Sequence, residues 1–301
     1  MIAENAGMKI VEQYKRPVLC RTERDKGAYS ETIFHMKARL KMGLTKAQSE
    51  NVEQVLKNIL RNKFQNYNPE PASMPFYTKL LGKDRLALYS FIQSLITNFG
   101  EAVFEPVAVS LASPNFKQAK SHVKAGTIIY DGALVEIQQI MDKLVTSGEP
   151  NKNKEVEAIR AVCQKGLPRN VKPTLVDLYL ETNENKLFLF DLKTAKPNAG
   201  GFKEFKRTML EWVAVTLADN PQAEVSTLIA IPYNPYEPKP YNRWTMRGML
   251  DLPKELKVGE EFWDFLGGAG AYQELLNCFE RVGIELRDEI DEHFAKFNKE
   301  Q

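Results

Sequence analysis

From Thr45 to Asn66 the chain carries apolar side chains at Val52, Val55, Leu56, Ile59 and Leu60, with polar residues between them. That spacing predicts an amphipathic helix, and Thr45 stands where an N-cap belongs. NPEPASMP interrupts it, and long apolar stretches follow in FIQSLITNFG and VFEPVAVSLA, so residues 1–120 are expected to be mostly helical. Between Gly126 and Val145 two periods compete: TIIYDGALVEI suits a strand and hairpin, IQQIMDKLV a helix. SGEPNKNK is a polar link, and EVEAIRAVCQKG predicts a short helix ending at Gly166 in a left-handed C-terminal cap.

A different pattern begins at Thr174. TLVDLYLE and KLFLFDLK are strand-length apolar runs separated by the turn-rich TNEN, which predicts two strands and their connection. GGFKEFKRTMLEWVAVTLADNP returns to helical spacing, with a basic first turn and a core face of Met209, Leu210, Val213 and Leu217. EVSTLIAIPYNP is another strand, YEPKPYNRWTMRGMLDLPKELKVGEEFWDFLGG is rich in proline and aromatics, and one long helical pattern runs from Tyr272 to Phe297. With no internal repeat, the expectation is a single α/β domain over 1–301. Residues 1–120 form a helical N-terminal elaboration, and 121–301 hold the core and C-terminal helices.

The composition permits a sizeable core, with 301 residues and 43% hydrophobic content. Its 41 basic and 39 acidic side chains leave a formal charge of +2, so any basic face for nucleic acid must be local. Cys20, Cys163 and Cys278 have no paired spacing, which argues against a disulfide framework or a zinc site and for a reducing cytoplasm. MIAENAGMKIVEQYKRP has no apolar signal core, and no run approaches the ~18 to 20 apolar residues that cross a bilayer. Neither secretion nor membrane insertion is expected.

The candidate chemistry lies at the ends of the two apolar runs. Alternation along a strand puts Asp191 and Lys193 on one face with Leu192 turned away, and Asp177 falls across the predicted hairpin from them. Two nearby carboxylates repel unless something positive sits between them, and hard oxygen ligands suit Mg²⁺. Such a metal lowers the pKa of bound water and stabilises charge on a scissile phosphate, while Lys193 can orient the water; the chemistry is phosphodiester hydrolysis. Glu157 in EVEAIRAVC is the candidate third acid, with Glu155 behind it. The plainer alternative makes Asp177 a strand-end turn former and Asp191–Lys193 a surface ion pair worth ~0 to 1 kcal/mol. Against it, Asp191 ends the apolar run LFLF, where a charge is costly unless paired or metal-bound.

Pro173-Thr-Leu-Val-Asp177 followed by Asp191-Leu-Lys193 resembles the PD-(D/E)xK nuclease superfamily, with the proline displaced from its usual place beside the acid. FGEAVFEPVAVSLA, DLKTAKPNAGGFKEFKR, IPYNPYEPKPYNRWTMRG and VGEEFWDFLGG further resemble type II restriction endonucleases of the TdeIII-type group, which cut GGNCC-like sites. The resemblance implies a mixed central β-sheet flanked by helices, dependence on Mg²⁺ with Mn²⁺ able to substitute, and double-stranded DNA as substrate. It also implies a homodimer matched to a palindromic target, and a companion DNA methyltransferase.

Under that reading Thr194, Lys196, Asn198, Lys203, Lys206 and Arg207 are candidate phosphate contacts; the alternative is a solvated basic first turn. Arg243 and Arg247, with Asn234 and Asn242 nearby, are candidate base readers, Arg suiting guanine; equally they could stack on Tyr or Trp244. Gly267-Gly-Ala-Gly270 lacks the GK[ST] ending of a phosphate loop, and His35, His122 and His293 show no ligand spacing. A structure-selective repair or recombination nuclease and an inactive DNA-binding module of the same fold are the competing functions.

Overall fold

Thr45 caps the first helix reciprocally: its hydroxyl accepts from the Gln48 N–H at 3.2 Å, while Gln48 Oε1 accepts from the Thr45 N–H at 2.9 Å. The computed structural model describes residues 43–67, 74–146, 148–193, 195–197, 201–242, 246 and 248–297. Cys20, His35, Thr194, Asn198, Arg243, Trp244 and Arg247 lie outside the described residues. Those described fall in one compact unit, Met42–Gln301.

The N-terminal part is helical: α1 Lys46–Asn66, α2 Pro75–Leu81, α3 Lys83–Phe99, then a π-type turn Gly100–Phe104 leading into α4 Glu105–Ala112. After the edge strand β1 Gln118–Lys120, the ambiguous segment divides. Ile128–Tyr130 forms the short strand β2 and Asp131–Thr146 the helix α5, which buries Ile137, Ile140, Met141 and Leu144 at helical spacing. No hairpin forms there, because the apolar stripe has a partner layer only as a helix.

α6 covers Lys152–Arg160, with the Asn151 side chain accepting from the Lys154 N–H. It stops before Gly166. Past Arg160 the backbone tightens into i→i+3 bonds, Val162 N–H to Ile159 O and Cys163 N–H to Arg160 O, and Gly166 takes φ +87° in the turn before β3 Pro168–Asn170 instead of capping the helix. β4 Leu178–Glu181 and β5 Leu187–Leu192 follow as the expected antiparallel pair, then α7 Phe202–Asp219 and β6 Val225–Ile231. Met209, Leu210, Val213 and Leu217 are fully buried on α7.

The C-terminal part comprises α8 Leu252–Glu255, β7 Leu256–Val258, α9 Glu260–Gly267, α10 Ala271–Glu285 and α11 Arg287–Phe297. The single long helix expected from Tyr272 to Phe297 is therefore two. The break falls at Leu286, a fully buried side chain with φ −91° and ψ 12°, and Glu285 and Glu289 on either side pair with Lys57 and Arg61 of α1.

The main sheet has the order β1-β4-β5-β6-β7, antiparallel across β1, β4 and β5 and parallel across β5, β6 and β7; β2 and β3 pair separately. Leu189, Ile229 and Ile231 turn to one face, covered by α5, α6 and α7. Phe190, Leu228 and Ala230 turn to the other, covered by α1, α4, α9 and α10. Burial on both faces explains why β5 and β6 read as nearly unbroken apolar runs. The mixed α/β architecture with a helix-flanked central sheet is the one the sequence predicts. Among the described residues, no helix is long and apolar enough to cross a membrane.

Candidate active site

β4 and β5 pair with Leu178 facing Phe190, so the next step of the same register sets Asp177 opposite Asp191. The Leu192 N–H donates to Asp177 Oδ2 at 2.7 Å, tying the bend before β4 to the end of β5. Alternation places Leu189, Asp191 and Lys193 on the α7 side of the sheet. The Lys193 N–H continues the ladder to Ala230 O at 2.9 Å, which holds the residue in line although the strand has ended.

Asp191 is 6% exposed and its Oδ1 lies 2.5 Å from Lys193 Nζ. The same ammonium stands 4.7 Å from the centre of the Phe205 ring on α7, a cation–π contact. Two carboxylates at facing positions repel, and the consequence appears on Asp177. Burial first, and then the Asp191 charge, push its carboxyl up to about 7, with Glu105 adding to the rise; the Leu192 N–H and Lys193 pull the other way.

Glu105 is a buried acid acting on Asp177 that the sequence reading did not weigh as the third acid. It opens α4, is almost fully buried, and its Oε2 lies 3.1 Å from His122 Nε2. The signal was present: one acid inside the apolar VFEPVAVSLA is as anomalous as Asp191 at the end of LFLF. The two acids favoured for that role sit elsewhere. Glu157 is exposed on α6 and pairs with Arg160 at 3.1 Å, while Glu155 is buried against Lys206 at 2.5 Å. Helical spacing turned Glu155 into the α6–α7 interface and Glu157 toward solvent.

Lys206 also departs from its expected place. Instead of lying on a basic surface turn it is fully buried, donating to Glu155 Oε2 at 2.5 Å and to both Glu255 oxygens at 2.8 and 2.9 Å. Lys152, bonded to Thr227 and 3.1 Å from Glu255, completes the network. A phosphate cannot reach an ammonium so enclosed. Lys203 is exposed, Arg207 donates to Gln138 at 2.6 Å, and exposed Lys196 lies 5.4 Å from the Tyr236 ring centre. Asn234 shapes its own loop, accepting from the Tyr236 N–H and donating to Lys239 O. Asn242 is exposed.

The donor set at the sheet end is carboxylate oxygen throughout, with Asp177 one register step beyond the Leu178–Phe190 pair, beside Asp191, and Glu105 acting on Asp177. Among the described residues no three acidic, histidine or cysteine side chains already stand at metal-holding distances. The Lys193 ammonium is the positive group drawn to Asp191. Hard oxygen donors, one of them with its pKa raised by burial and by its neighbour's charge, fit a divalent cation, which would offset both effects.

The chain matches the family model described as type II restriction endonuclease, HinfI, over residues 44–283, a span that contains Glu105, Asp177, Asp191 and Lys193. It is similar to the type II restriction enzyme HgiEI of Herpetosiphon aurantiacus, 24% identical over 221 residues, or 72% of this chain and 79% of that protein. HgiCII of the same organism is 23% identical over 221 residues, 72% of this chain and 80% of that protein. The type II restriction enzyme MjaII of Methanocaldococcus jannaschii is 27% identical over 257 residues, covering 75% of this chain and 68% of that one.

Proposed function

The chain belongs to the HinfI family of type II restriction endonucleases, and we propose that it makes sequence-specific double-strand cuts in DNA by Mg²⁺-dependent phosphodiester hydrolysis. Mn²⁺ substitutes. The observation that carries this reading is the facing of Asp177 and Asp191 at the end of a buried hairpin, with Lys193 bound to the second acid.

When bound, a divalent cation supplies Lewis acidity toward the phosphate and a lowered pKa for its water. Asp177 and Asp191 provide its oxygen ligands, and Glu105, not Glu157, is the third acid. Asp191 and the Phe205 ring together hold the Lys193 ammonium at the mouth of the site, where it orients the attacking water and balances charge developing on the phosphate. The exposed Lys196 and Lys203 contact backbone phosphates beside the cut, with Asn198 and Arg207 as further contacts. Arg243 and Arg247 read guanine in the major groove.

The finer assignments belong to the same proposal: membership of the PD-(D/E)xK superfamily and its TdeIII-type group, a GGNCC-like target, and a single endonuclease domain over 1–301. A cytoplasmic homodimer with a companion methyltransferase completes it. Digestion of DNA of known sequence in Mg²⁺, with the fragment ends sequenced, tests the core. Discrete fragments with a common end sequence are expected. Cutting only at flaps, junctions or free ends would replace sequence recognition with structure recognition, and binding with no cleavage in either Mg²⁺ or Mn²⁺ would remove the enzymatic reading.

A further inference from the structure

We propose that His122 is a positioning residue of this site, its imidazole holding the Glu105 carboxylate toward Asp177. The inference rests on the cation-dependent reading above and assigns a function to a histidine with no ligand spacing in the sequence.

Three independent features place it. Lys120 pairs with Tyr179 and Val123 with Val176, so the register between them sets His122 opposite Asp177 on the far side of β4 from Asp191. Val123 and Val176 exchange both backbone bonds, at 3.2 and 2.8 Å, and pin that register beside the acid. His122 itself adopts φ +54°, an uncommon conformation for a residue with a Cβ, of the kind that persists where surroundings over-determine it and that clusters at functional sites. In this conformation Nε2 comes within 3.1 Å of Glu105 Oε2, an ion-pair contact outside hydrogen-bond geometry, while the imidazole stays about half exposed (52%) and the carboxylate is buried. The register that sets His122 opposite Asp177 thereby brings the Glu105 carboxylate to this end of β4. A group that fixes a ligating carboxylate from behind typically changes cation affinity by about 10- to 100-fold when removed.

The test is Mn²⁺ binding to the DNA-free protein, followed by electron paramagnetic resonance, for wild type, His122→Asn, His122→Gln and Asp191→Ala. Thermal unfolding serves as the check on folding. Asn suits the positive φ but is too short to replace Nε2; the Gln amide nitrogen can take its position. His122→Asn is expected to weaken Mn²⁺ binding about tenfold and His122→Gln to recover most of it. If His122→Asn does not fold, His122→Gly, free at positive φ, replaces it. Unchanged Mn²⁺ affinity in the loss variant overturns the proposal, as does a loss of DNA affinity in Ca²⁺ with Mn²⁺ affinity intact, which would make His122 a DNA contact. If Asp191→Ala binds Mn²⁺ like wild type, the cation site itself is elsewhere and the proposed chemistry falls with it. If only Asp191→Ala loses the cation, the chemistry stands and His122 has no part in it.

Discussion

Asp177 faces Asp191 across the β4–β5 pair, and the backbone N–H of the next residue, Leu192, is bonded to Asp177 at 2.7 Å. That bond, from the end of β5 to the bend before β4, holds the Asp177 side chain beside the strand end that carries Asp191. Moving Asp177 away from Asp191 would cost that hydrogen bond.

Removing Asp191 should abolish cleavage. Asp191→Ala and Lys193→Ala are each expected to lower the cleavage rate by at least about 10²- to 10³-fold, the range for losing a group that stabilises transition-state charge. Binding of target DNA in Ca²⁺, measured by gel shift, should stay close to wild type. Cleavage retained by Asp191→Ala would remove the centre of the mechanism.

In the absence of divalent cation, stability should fall as pH rises through the neutral range. The Asp177 carboxyl is raised from 3.8 to about 7 in the folded chain, so between those values the folded protein holds a proton that the unfolded chain has released. Stability is thus fullest below about 4 and is lost toward 7, by at most about 4 kcal/mol given 1.36 kcal/mol for each pH step. Urea unfolding in EDTA at pH 5 and pH 8 should show the part of this loss that falls between 5 and 7, at most about 3 kcal/mol, in wild type and a smaller difference in Asp177→Asn. Added Mg²⁺ should restore wild-type stability at pH 8, and an Asn variant with the full wild-type pH dependence would contradict the assignment.

Lys206 and Lys203 sit three residues apart on α7 and should behave differently. Lys206→Met leaves buried Glu155 and Glu255 short of a partner and is expected to cost about 3 to 5 kcal/mol in chemical denaturation. Lys203→Ala should leave stability nearly unchanged and reduce the slope of log binding constant against log salt by about 0.9, one phosphate contact. Equal effects of the two substitutions on that salt slope would return Lys206 to the DNA surface.

Phe205 supports the Lys193 ammonium from one side. Its replacement by Leu keeps bulk but removes the ring, a loss of about 0.5 to 2 kcal/mol. If the contact positions Lys193 for the reaction, kcat falls about 2- to 30-fold with KM unchanged. Single-turnover cleavage on saturating DNA measures it. A change in KM alone would make Phe205 part of the DNA surface.

Periodicity alone determined much of this protein. The alternation in KLFLFDLK put Asp191 and Lys193 on one face, TNEN set Asp177 across from them, and helical spacing identified the core faces of α1 and α7. These features are local, and a strand or helix period reports directly which side chains share a face. Tertiary structure decided what each face meets. Glu155 and Glu157 lie on one short helix, yet the first is locked to Lys206 and the second is in solvent, because α7 packs on one side of α6 alone. Leu286 ends a helix whose pattern could have continued, because its side chain is anchored in the core. His122 is set opposite Asp177 by the pairing of β1 with β4, and the placement of α4 brings Glu105 to His122, from distant parts of the chain. A spacing along one element carries no information about partners that only the assembled sheet and its helices bring into contact.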